Sequence, residues 1–333
     1  MPKDEEFLFA SGRIKVLESR LLSRNVIERI LEAEDLDAAL RVLGETDYAT
    51  DFEELESIYD FEKALERSMK RTLRIIKESV KDHRVVRFFT LKYDYHNLKV
   101  VLKSRILGIV PEYLSTLGEV PLEELVKLSK GEGDAGVPAA MKAAFNEAAR
   151  LYEETRDPQQ VDLILDRALY EELNRLVREI GHEFLKDYLA ALIDLTNIKT
   201  VVRLKYMKAD FRTLEKSLLP GGTIDAGFFE DIFQEPVQAL IDALSSSRYS
   251  EVIKEGLENW VSTGSPAVYE KLADDFLLGI LRKGLYKPFG LEPVAGYIGA
   301  KENELKILRV LMVGKINGIS EDMIRERLRD VYV

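Results

Sequence analysis

One stretch decides the fold, Tyr93-Asp94-Tyr95-His96-Asn97-Leu98-Lys99-Val100-Val101-Leu102-Lys103. Spacings of four, three, four and four residues separate the members of its apolar stripe, Leu91, Tyr95, Leu98, Leu102 and Ile106. Such spacing places side chains on one face of a helix with 3.6 residues per turn. The stretch therefore predicts the middle of a long helix.

The same pattern returns once clearly and once faintly. In the clear copy, residues 193–203, four polar positions are in register with the first stretch, and they pair Asp94 with Asp194, Asn97 with Asn197, Lys99 with Lys199 and Lys103 with Arg203. The faint copy, residues 300–309, keeps Lys306 but has Lys301 at the Asp position and Glu304 at the Asn position. The lysines at 99, 199 and 306 lie 100 and 107 residues apart.

A repeat of this length has the size of a small domain and is too long for a solenoid unit, which spans roughly 20–50 residues. An acid-base-apolar-apolar run also precedes each signature lysine by 31 to 35 residues, in Glu62–Leu65, Asp166–Leu169 and Glu270–Ala273. Proline clusters around residues 111–121 and 220–222 mark the boundaries. We therefore expect three helical modules, with bounds 1–112, 113–215 and 216–333.

The sequence predicts an all-α fold, because it contains no sustained alternation of apolar and polar residues and no hairpin signal. Capping side chains before proline predict helices that begin at Pro158 and Pro266, and Ser320 predicts a further helix start. A helix is also expected over Leu122 to Lys130 and another from near Pro138.

Composition narrows the function. The 333 residues contain no cysteine, which excludes disulfides and thiolate sites, and the formal net charge of −11 disfavours nucleic acid or an anionic lipid surface as the main partner. No apolar run is long enough to span a bilayer, and the charged N-terminus is followed by no apolar signal core. We expect a cytoplasmic protein without direct lipid insertion.

Motifs for chemistry are weak. Gly131–Gly136 has the letters of a dinucleotide fingerprint but follows a predicted helix, so a connector is favoured. Glu179 with His182 is half of a di-iron pattern, and Asp274-Asp275 has no second acidic cluster beside it. There is no phosphate loop ending in Gly-Lys-Ser/Thr. We expect no catalytic residue, cofactor or metal, although a helical enzyme that uses carboxylates and a divalent metal stays an alternative, as does an unrelated helical scaffold.

A family resemblance rests on three parts of the chain. They are the Asp-Tyr-His-Asn-Leu-Lys run at 94–99, the Asp-Leu-Thr-Asn-Ile-Lys-Thr run at 194–200, and Glu302, Glu304 and Arg309 before the segment 315–319. Together they resemble the C subunit of the archaeal-type and vacuolar-type rotary ATPases, the counterpart of the eukaryotic d subunit. The resemblance implies three similar helical domains in a funnel with pseudo-threefold symmetry. It also implies a non-catalytic adaptor, monomeric when isolated, whose partners are the central shaft and the membrane rotor ring.

The recurring polar residues have two interpretations. They either form a surface near the axis shared by the modules, part of which meets the shaft or the ring, or they form a polar network that ties each helix to its own module. The candidates for the partner surface are Asp94, Asn97, Lys103, Asp194, Asn197, Arg203, Glu302, Glu304 and Arg309.

Overall fold

The computed structural model describes residues 4–133 and 135–333, and within them no strand occurs. The prediction of an all-α fold is confirmed. The α-helices, in chain order, are α1 (Leu8–Glu18), α2 (Arg24–Leu31), α3 (Leu36–Leu43), α4 (Ala49–Glu53), α5 (Phe61–Ser79), α6 (Arg84–Leu107), α7 (Leu122–Lys130), α8 (Ala139–Thr155), α9 (Gln159–Ile180), α10 (Glu183–Tyr206), α11 (Phe211–Ser217), α12 (Ala226–Ile232), α13 (Val237–Leu244), α14 (Glu258–Thr263), α15 (Ala267–Leu281), α16 (Leu291–Ile316) and α17 (Glu321–Arg325).

The expected helix starts are found. Asp157 accepts a hydrogen bond from the backbone N–H of Gln159, the first residue of α9, at 2.9 Å, and the hydroxyl of Ser265 accepts one from Ala267 at 3.3 Å. Ser320 is the N-cap residue of α17. The side chains of Asp157 and Ser265 satisfy N–H groups that the first turn of a helix leaves without partners.

The contacts within the chain divide it into two compact units, residues 84–233 and residues 4–83 together with 234–333. The three modules predicted from the repeats remain a prediction, because this division compares no module with another. The three signature stretches form the centres of α6, α10 and α16, which are the longest α-helices in the described residues.

In the unit of residues 84–233, α6 packs along α9, which in turn packs on α8. Two ion pairs show that α6 and α9 are antiparallel: Lys99 lies 2.6 Å from Asp166, and Lys103 lies 2.7 Å from Asp162. Asp166 belongs to the second of the three acid-base runs. Each lysine is therefore bound to a neighbouring helix rather than extended into solvent.

The other unit is built on α16, which packs against α1, α5, α15 and a short 3₁₀ helix (Arg282–Tyr286). Residues 293–301 of α16 are buried without interruption. A helix buried on all sides needs small residues where neighbours approach closely, and α16 has glycine at two such points. A Cβ on Gly296 would lie 2.3 Å from the Tyr332 hydroxyl, and one on Gly299 would lie 2.2 Å from a methyl of Leu281.

The C-terminal segment, residues 326–333, crosses this unit as a strap. Arg282 binds Asp330, whose backbone N–H donates to Asp275 at 2.7 Å and whose carbonyl accepts from Asn303 at 2.7 Å. Burial raises the pKa of the Asp275 carboxyl to about 6. Tyr332 is 4% exposed and fills the space left by Gly296.

Among the described residues, no helix has both the length and the low charge that crossing a membrane requires.

Gly296→Ala should destabilise the unit around α16, because the added methyl group overlaps the Tyr332 hydroxyl and the Leu281 carbonyl. We expect a loss of about 1–3 kcal/mol in the free energy of unfolding, the usual cost of overpacking. The matched control is Gly279→Ala in α15, where a Cβ meets nothing within 4 Å. That change should raise stability by about 0.5–1 kcal/mol. Urea unfolding followed by circular dichroism compares the two, and equal effects would contradict the packing argument.

Candidate functional site: three polar clasps

The polar side chains of α6 hold the segment that leads into α7. The amide of Asn97 donates to the carbonyl of Ser115 at 2.8 Å and accepts from the Ser115 N–H at 2.8 Å. Asn97 is fully buried. Its side chain thus satisfies both polar groups of one peptide residue away from water, where each unpaired group would cost about 1–3 kcal/mol.

Asp94, one turn earlier on the same face, accepts from the N–H of Val120 at 2.9 Å. Its carboxyl is fully buried, and its second oxygen has no hydrogen-bond partner among the described residues. A Cβ on Gly118 would lie 2.3 Å from the bonded oxygen, so glycine makes room for the carboxylate. Burial raises the pKa of Asp94 to about 6, against the lowering effects of the Val120 hydrogen bond and the Arg87 charge.

The second signature helix, α10, repeats this arrangement. Asn197 donates to the carbonyl of Leu219 at 2.9 Å and accepts from its N–H at 2.8 Å. Asp194 accepts from the N–H groups of Thr223 and Ile224 at 3.1 and 3.0 Å, and also from the Thr223 hydroxyl. We call each such set of contacts a clasp.

The two clasps agree residue by residue. In both, the residue paired with Asn is followed three positions later by a glycine beside the Asp carboxylate, Gly118 or Gly222. Two positions further on, Val120 or Ile224 donates its N–H to that carboxylate. The equivalence extends the repeat beyond the helices into the connecting segments.

The third clasp, on α16, uses different side chains. Glu304, at the Asn position, accepts from the backbone N–H of Leu22 and from the Tyr48 hydroxyl, the latter at 2.8 Å. Lys301, at the Asp position, donates to Glu304 at 2.9 Å and lies 4.0 Å from the centre of the Tyr48 ring. All four residues are buried. The carboxylate has moved by one turn of the helix, and a lysine compensates its charge.

The three residues whose N–H groups are bound occupy the same local position. Leu22, Val120 and Ile224 each directly precede the N-cap residue of a helix, namely α2, α7 and α12. Each signature helix thus holds the start of a helical segment. For α16 that segment lies near the beginning of the chain.

The remaining predicted site residues lie closer to the surface. Lys103 pairs with Asp162, and Arg309 forms two hydrogen bonds with Glu62 of α5 at 2.5 and 2.8 Å. Arg203 is exposed, and Glu302 is partly exposed. The five buried members, Asp94, Asn97, Asp194, Asn197 and Glu304, form polar contacts inside the fold. These contacts cross the predicted bounds at 112 and 215, so they do not tie each helix to its own module as drawn. That part of the nine meets a partner remains a prediction.

The other motifs have ordinary structural contacts. Glu179 pairs with Arg175 at 3.0 Å, and His182 is the N-cap residue of α10. Asp274 binds Lys306 and Arg329. Gly131 ends α7, and Asp134 of the glycine-rich loop lies outside the described residues. Within those residues, no group of three or more acidic or histidine side chains is arranged to hold a metal ion.

Sequence reasoning missed the buried acids Glu18, Asp51 and Glu172, of which Glu172 has the most developed contacts with α6. Glu172 of α9 accepts from Arg87 at 2.9 Å and from the Tyr95 hydroxyl at 3.0 Å, and burial together with this acid raises the Tyr95 pKa. Glu172 stands three residues after Leu169, so it continues the apolar face of α9. The position of a charged residue on the apolar face of a helix could have indicated that Glu172 is buried.

Asn197→Ala should lower the free energy of unfolding by about 2–4 kcal/mol, because it leaves the buried N–H and C=O of Leu219 without partners. The matched control is Asn25→Ala on the exposed surface of α2, which should change stability by less than about 0.5 kcal/mol. Denaturant unfolding measures both. If the two variants are equally stable, the clasp contributes nothing.

Asp94→Asn should remove a pH dependence. A carboxyl whose folded pKa is about 6, above the ordinary 3.8, stabilises the fold below pH 4, and this contribution is lost as pH rises through 6. The variant cannot ionise there, so its stability relative to wild type should rise by up to about 3 kcal/mol between pH 4 and 7. Thermal unfolding at several pH values gives this difference. A difference that is flat with pH would contradict the burial argument.

The chain is similar in sequence to known proteins over nearly its whole length. A family model described as ATP synthase (C/AC39) subunit matches residues 10–327. The C subunit of the V-type sodium ATPase of Enterococcus hirae is 29% identical over 328 residues, which cover 96% of this chain and 97% of that protein. The C subunit of the A-type ATP synthase of Methanothermobacter thermautotrophicus is 28% identical over 343 aligned positions. This alignment spans 97% of the present chain and 87% of that protein.

The corresponding C subunit of the A-type ATP synthase of Methanocaldococcus jannaschii is 26% identical over 344 aligned positions. This alignment spans 97% of the present chain and 86% of that protein. The family is a non-catalytic structural subunit of the ATP synthase complex, which confirms the expectation that the chain is not an enzyme. The resemblance inferred from the signature stretches is confirmed by the full-length match. The chain belongs to the ATP synthase (C/AC39) subunit family.

Proposed function

We propose that the chain is the central-stalk adaptor of an A/V-type rotary ATPase. In this role it seats the rotor shaft on the membrane ring and transmits torque for coupled ion transport and ATP synthesis or hydrolysis. The observation that carries the proposal is the match of family and relatives over nearly the whole chain, to the C subunits of both a V-type sodium ATPase and A-type ATP synthases. A chain matched over nearly all of its length is expected to share the role of the whole subunit.

The clasps support a mechanical role. A part that transmits torque must keep its helices in register under load. Each signature helix is bound to a connecting segment by buried hydrogen bonds to a carboxylate, which are roughly twice as strong as neutral ones. Further ion pairs join α6 to α9 and α16 to α5. Relative sliding of these helices would break several of these contacts at once.

The three clasps also support the proposal of three modules in a pseudo-threefold arrangement, with boundaries near residues 112 and 215. Leu22, Val120 and Ile224 are 98 and 104 residues apart, close to the spacing of the signature lysines. Similar bonding at this spacing is expected of a repeated unit. The module bounds near residues 112 and 215, which were predicted from the proline clusters, fall just before Val120 and Ile224.

Partner contact by the polar set is proposed chiefly for one exposed member, Arg203. Arg203 is exposed at the end of α10, and its guanidinium can bind a carboxylate in bidentate geometry. The surface pairs of Lys103 and Arg309 sit at equivalent ends of α6 and α16 and can exchange partners at small cost, because surface ion pairs contribute about 0–1 kcal/mol. The protein would work in the cytoplasm, attached to the membrane through the rotor ring.

The proposal is tested by reconstitution. Membrane rotor ring in detergent and the isolated shaft are mixed with and without the chain, and complexes are separated by size-exclusion chromatography. We expect a ternary complex only when the chain is present, with each partner also binding the chain alone. ATP-driven ion transport in vesicles should depend on adding the chain back to a complex that lacks it.

Co-elution of shaft and ring without the chain, or failure of the chain to bind either, would contradict the adaptor role.

A further inference from the structure

The two aspartate clasps differ in how their carboxylates are bonded. Asp194 of α10 accepts from the N–H groups of Thr223 and Ile224 and from the Thr223 hydroxyl, so both of its oxygens are bound. Asp94 of α6 accepts from the N–H of Val120 through one oxygen. Its other oxygen is buried and has no hydrogen-bond partner among residues 4–133 and 135–333. The clasp of α6 is therefore the less completely bonded of the two.

One change within the repeat accounts for this difference. Glu119 directly precedes Val120, as Thr223 directly precedes Ile224, and both follow the glycine beside the carboxylate. A threonine hydroxyl can donate a hydrogen bond, whereas an ionised glutamate can only accept one. The Glu119 side chain instead pairs with Arg87 at 3.2 Å. The position that completes the clasp of α10 thus adds a negative charge near the clasp of α6.

The charged groups around Asp94 compensate its buried charge only in part. On the same helix, the Arg87 guanidinium is shared by Glu119 and by Glu172 of α9, at 3.2 and 2.9 Å. Glu172 also lies 3.6 Å from Arg175 of its own helix. On α7 and α8, which also pack on α6, ion pairs form within each helix, Lys127 with Glu124 and Arg150 with Glu154. Burial outweighs the attraction of Arg87 and raises the pKa of Asp94 to about 6.

The segment that binds Asp94 is short. We call residues 116–120 the latch, which lies between Ser115, fixed by Asn97, and Pro121, the N-cap residue of α7. The latch belongs to no helix or strand, and of its five residues Leu117 and Val120 are buried. A segment with so few buried side chains can open locally while the helices around it stay folded.

We propose that the latch is a proton-dependent switch, which is closed on α6 when Asp94 carries a proton and opens, with the helices of residues 84–233 in place, when Asp94 is ionised. In the open state, water solvates the carboxylate, which then has the acidity of an exposed aspartate. The closed state therefore binds the proton more tightly and is stabilised at low pH. With a pKa of about 6 when closed and the ordinary 3.8 when open, this stabilisation is about tenfold at pH 5 and is lost by pH 7.5.

Opening of the latch has a defined structural result. Glu119 separates from Arg87, which keeps Glu172 as its partner. The side chains of Leu117 and Val120 become accessible to solvent. The start of α7 loses the hydrogen bond between Val120 and Asp94, which fixes where that helix begins. One proton is thereby coupled to the position of one helix within residues 84–233, independently of the adaptor function.

The test compares wild type with three variants of the full chain. Glu119→Thr supplies the missing hydroxyl donor, and Glu119→Val, the matched control, has the same shape and loses the same ion pair but supplies no donor. Thr223→Val removes the hydroxyl donor from the clasp of α10. Hydrogen–deuterium exchange measured by NMR gives the protection factors of the Val120 and Ile224 amides at pH 5 and pH 7.5, corrected for intrinsic exchange rates. The melting temperature shows that each variant is folded.

In wild type, we expect the protection of Val120 to fall about tenfold from pH 5 to pH 7.5, while that of Ile224 stays nearly constant. At pH 7.5, Glu119→Thr should protect Val120 at least about tenfold more than Glu119→Val does, the effect of one hydrogen bond to a charged group. Thr223→Val should lower the protection of Ile224 by a similar factor.

An equal fall of protection at both amides would assign the pH dependence to unfolding of the whole unit and would overturn the latch. Protection of Val120 that is independent of pH would do the same, as would equal protection of Val120 in the threonine and valine variants. The comparison of the two amides in wild type needs no variant, so it decides the matter even where a variant fails to fold.

Discussion

The structure depends on a hydrogen bond from the residue before a helix to a buried carboxylate on another helix. Val120 donates to Asp94, Ile224 to Asp194 and Leu22 to Glu304. A buried carboxylate is unfavourable without partners, and a chain entering a helix has N–H groups that the helix cannot satisfy. Bringing the two together satisfies part of each requirement and fixes the direction in which the next helix leaves.

The three clasps meet the cost of the buried charge differently. Asp194 has three donors, including the Thr223 hydroxyl. At the equivalent place in the first clasp stands Glu119, whose side chain pairs with Arg87, and one oxygen of Asp94 stays unpartnered within the described residues. Glu304 instead has Lys301 beside it as a buried counter-ion. One bonding geometry is thus maintained by three sets of side chains.

Much of this was readable from the sequence. The stripe through Tyr95 and Leu98 predicted the buried face of α6. Asp with Asn at the same spacing in two helices predicted either a partner surface or a polar network. Their partners were beyond sequence reasoning, because Asn97 and Asn197 reach 18 and 22 residues ahead, while Glu304 reaches 282 residues back. Nothing local in the sequence encodes such separations. Gly118 and Gly222 each lie two residues before the bound apolar residue. Their role in making room for the carboxylate can be recognised only once the contacts are known.

The chain belongs to the ATP synthase (C/AC39) subunit family, and the clasps bind its signature helices to other segments of the same unit. Most of its ionisable groups with strong partners bind other groups of the same unit, as Arg87 binds Glu172 and Lys306 binds Asp274. The large apolar side chains of Leu107, Ile109, Val110 and Tyr113, which lie at and after the end of α6, are the contrasting case, since they are exposed to solvent.

The discontinuous unit, residues 4–83 with 234–333, has a consequence for how the protein is made. Leu22, Ile30 and Leu31 are buried in the finished fold, but the helix that holds Leu22 begins only at Leu291 and leaves the ribosome long after them. At roughly 5–20 residues per second, the N-terminal helices wait on the order of 5–20 s after residue 233 before α16 and the strap at Tyr332 exist. During this interval the continuous unit of residues 84–233 is complete, so its internal contacts can form. The unpaired N-terminal segment would then be the part of the nascent chain most in need of a chaperone.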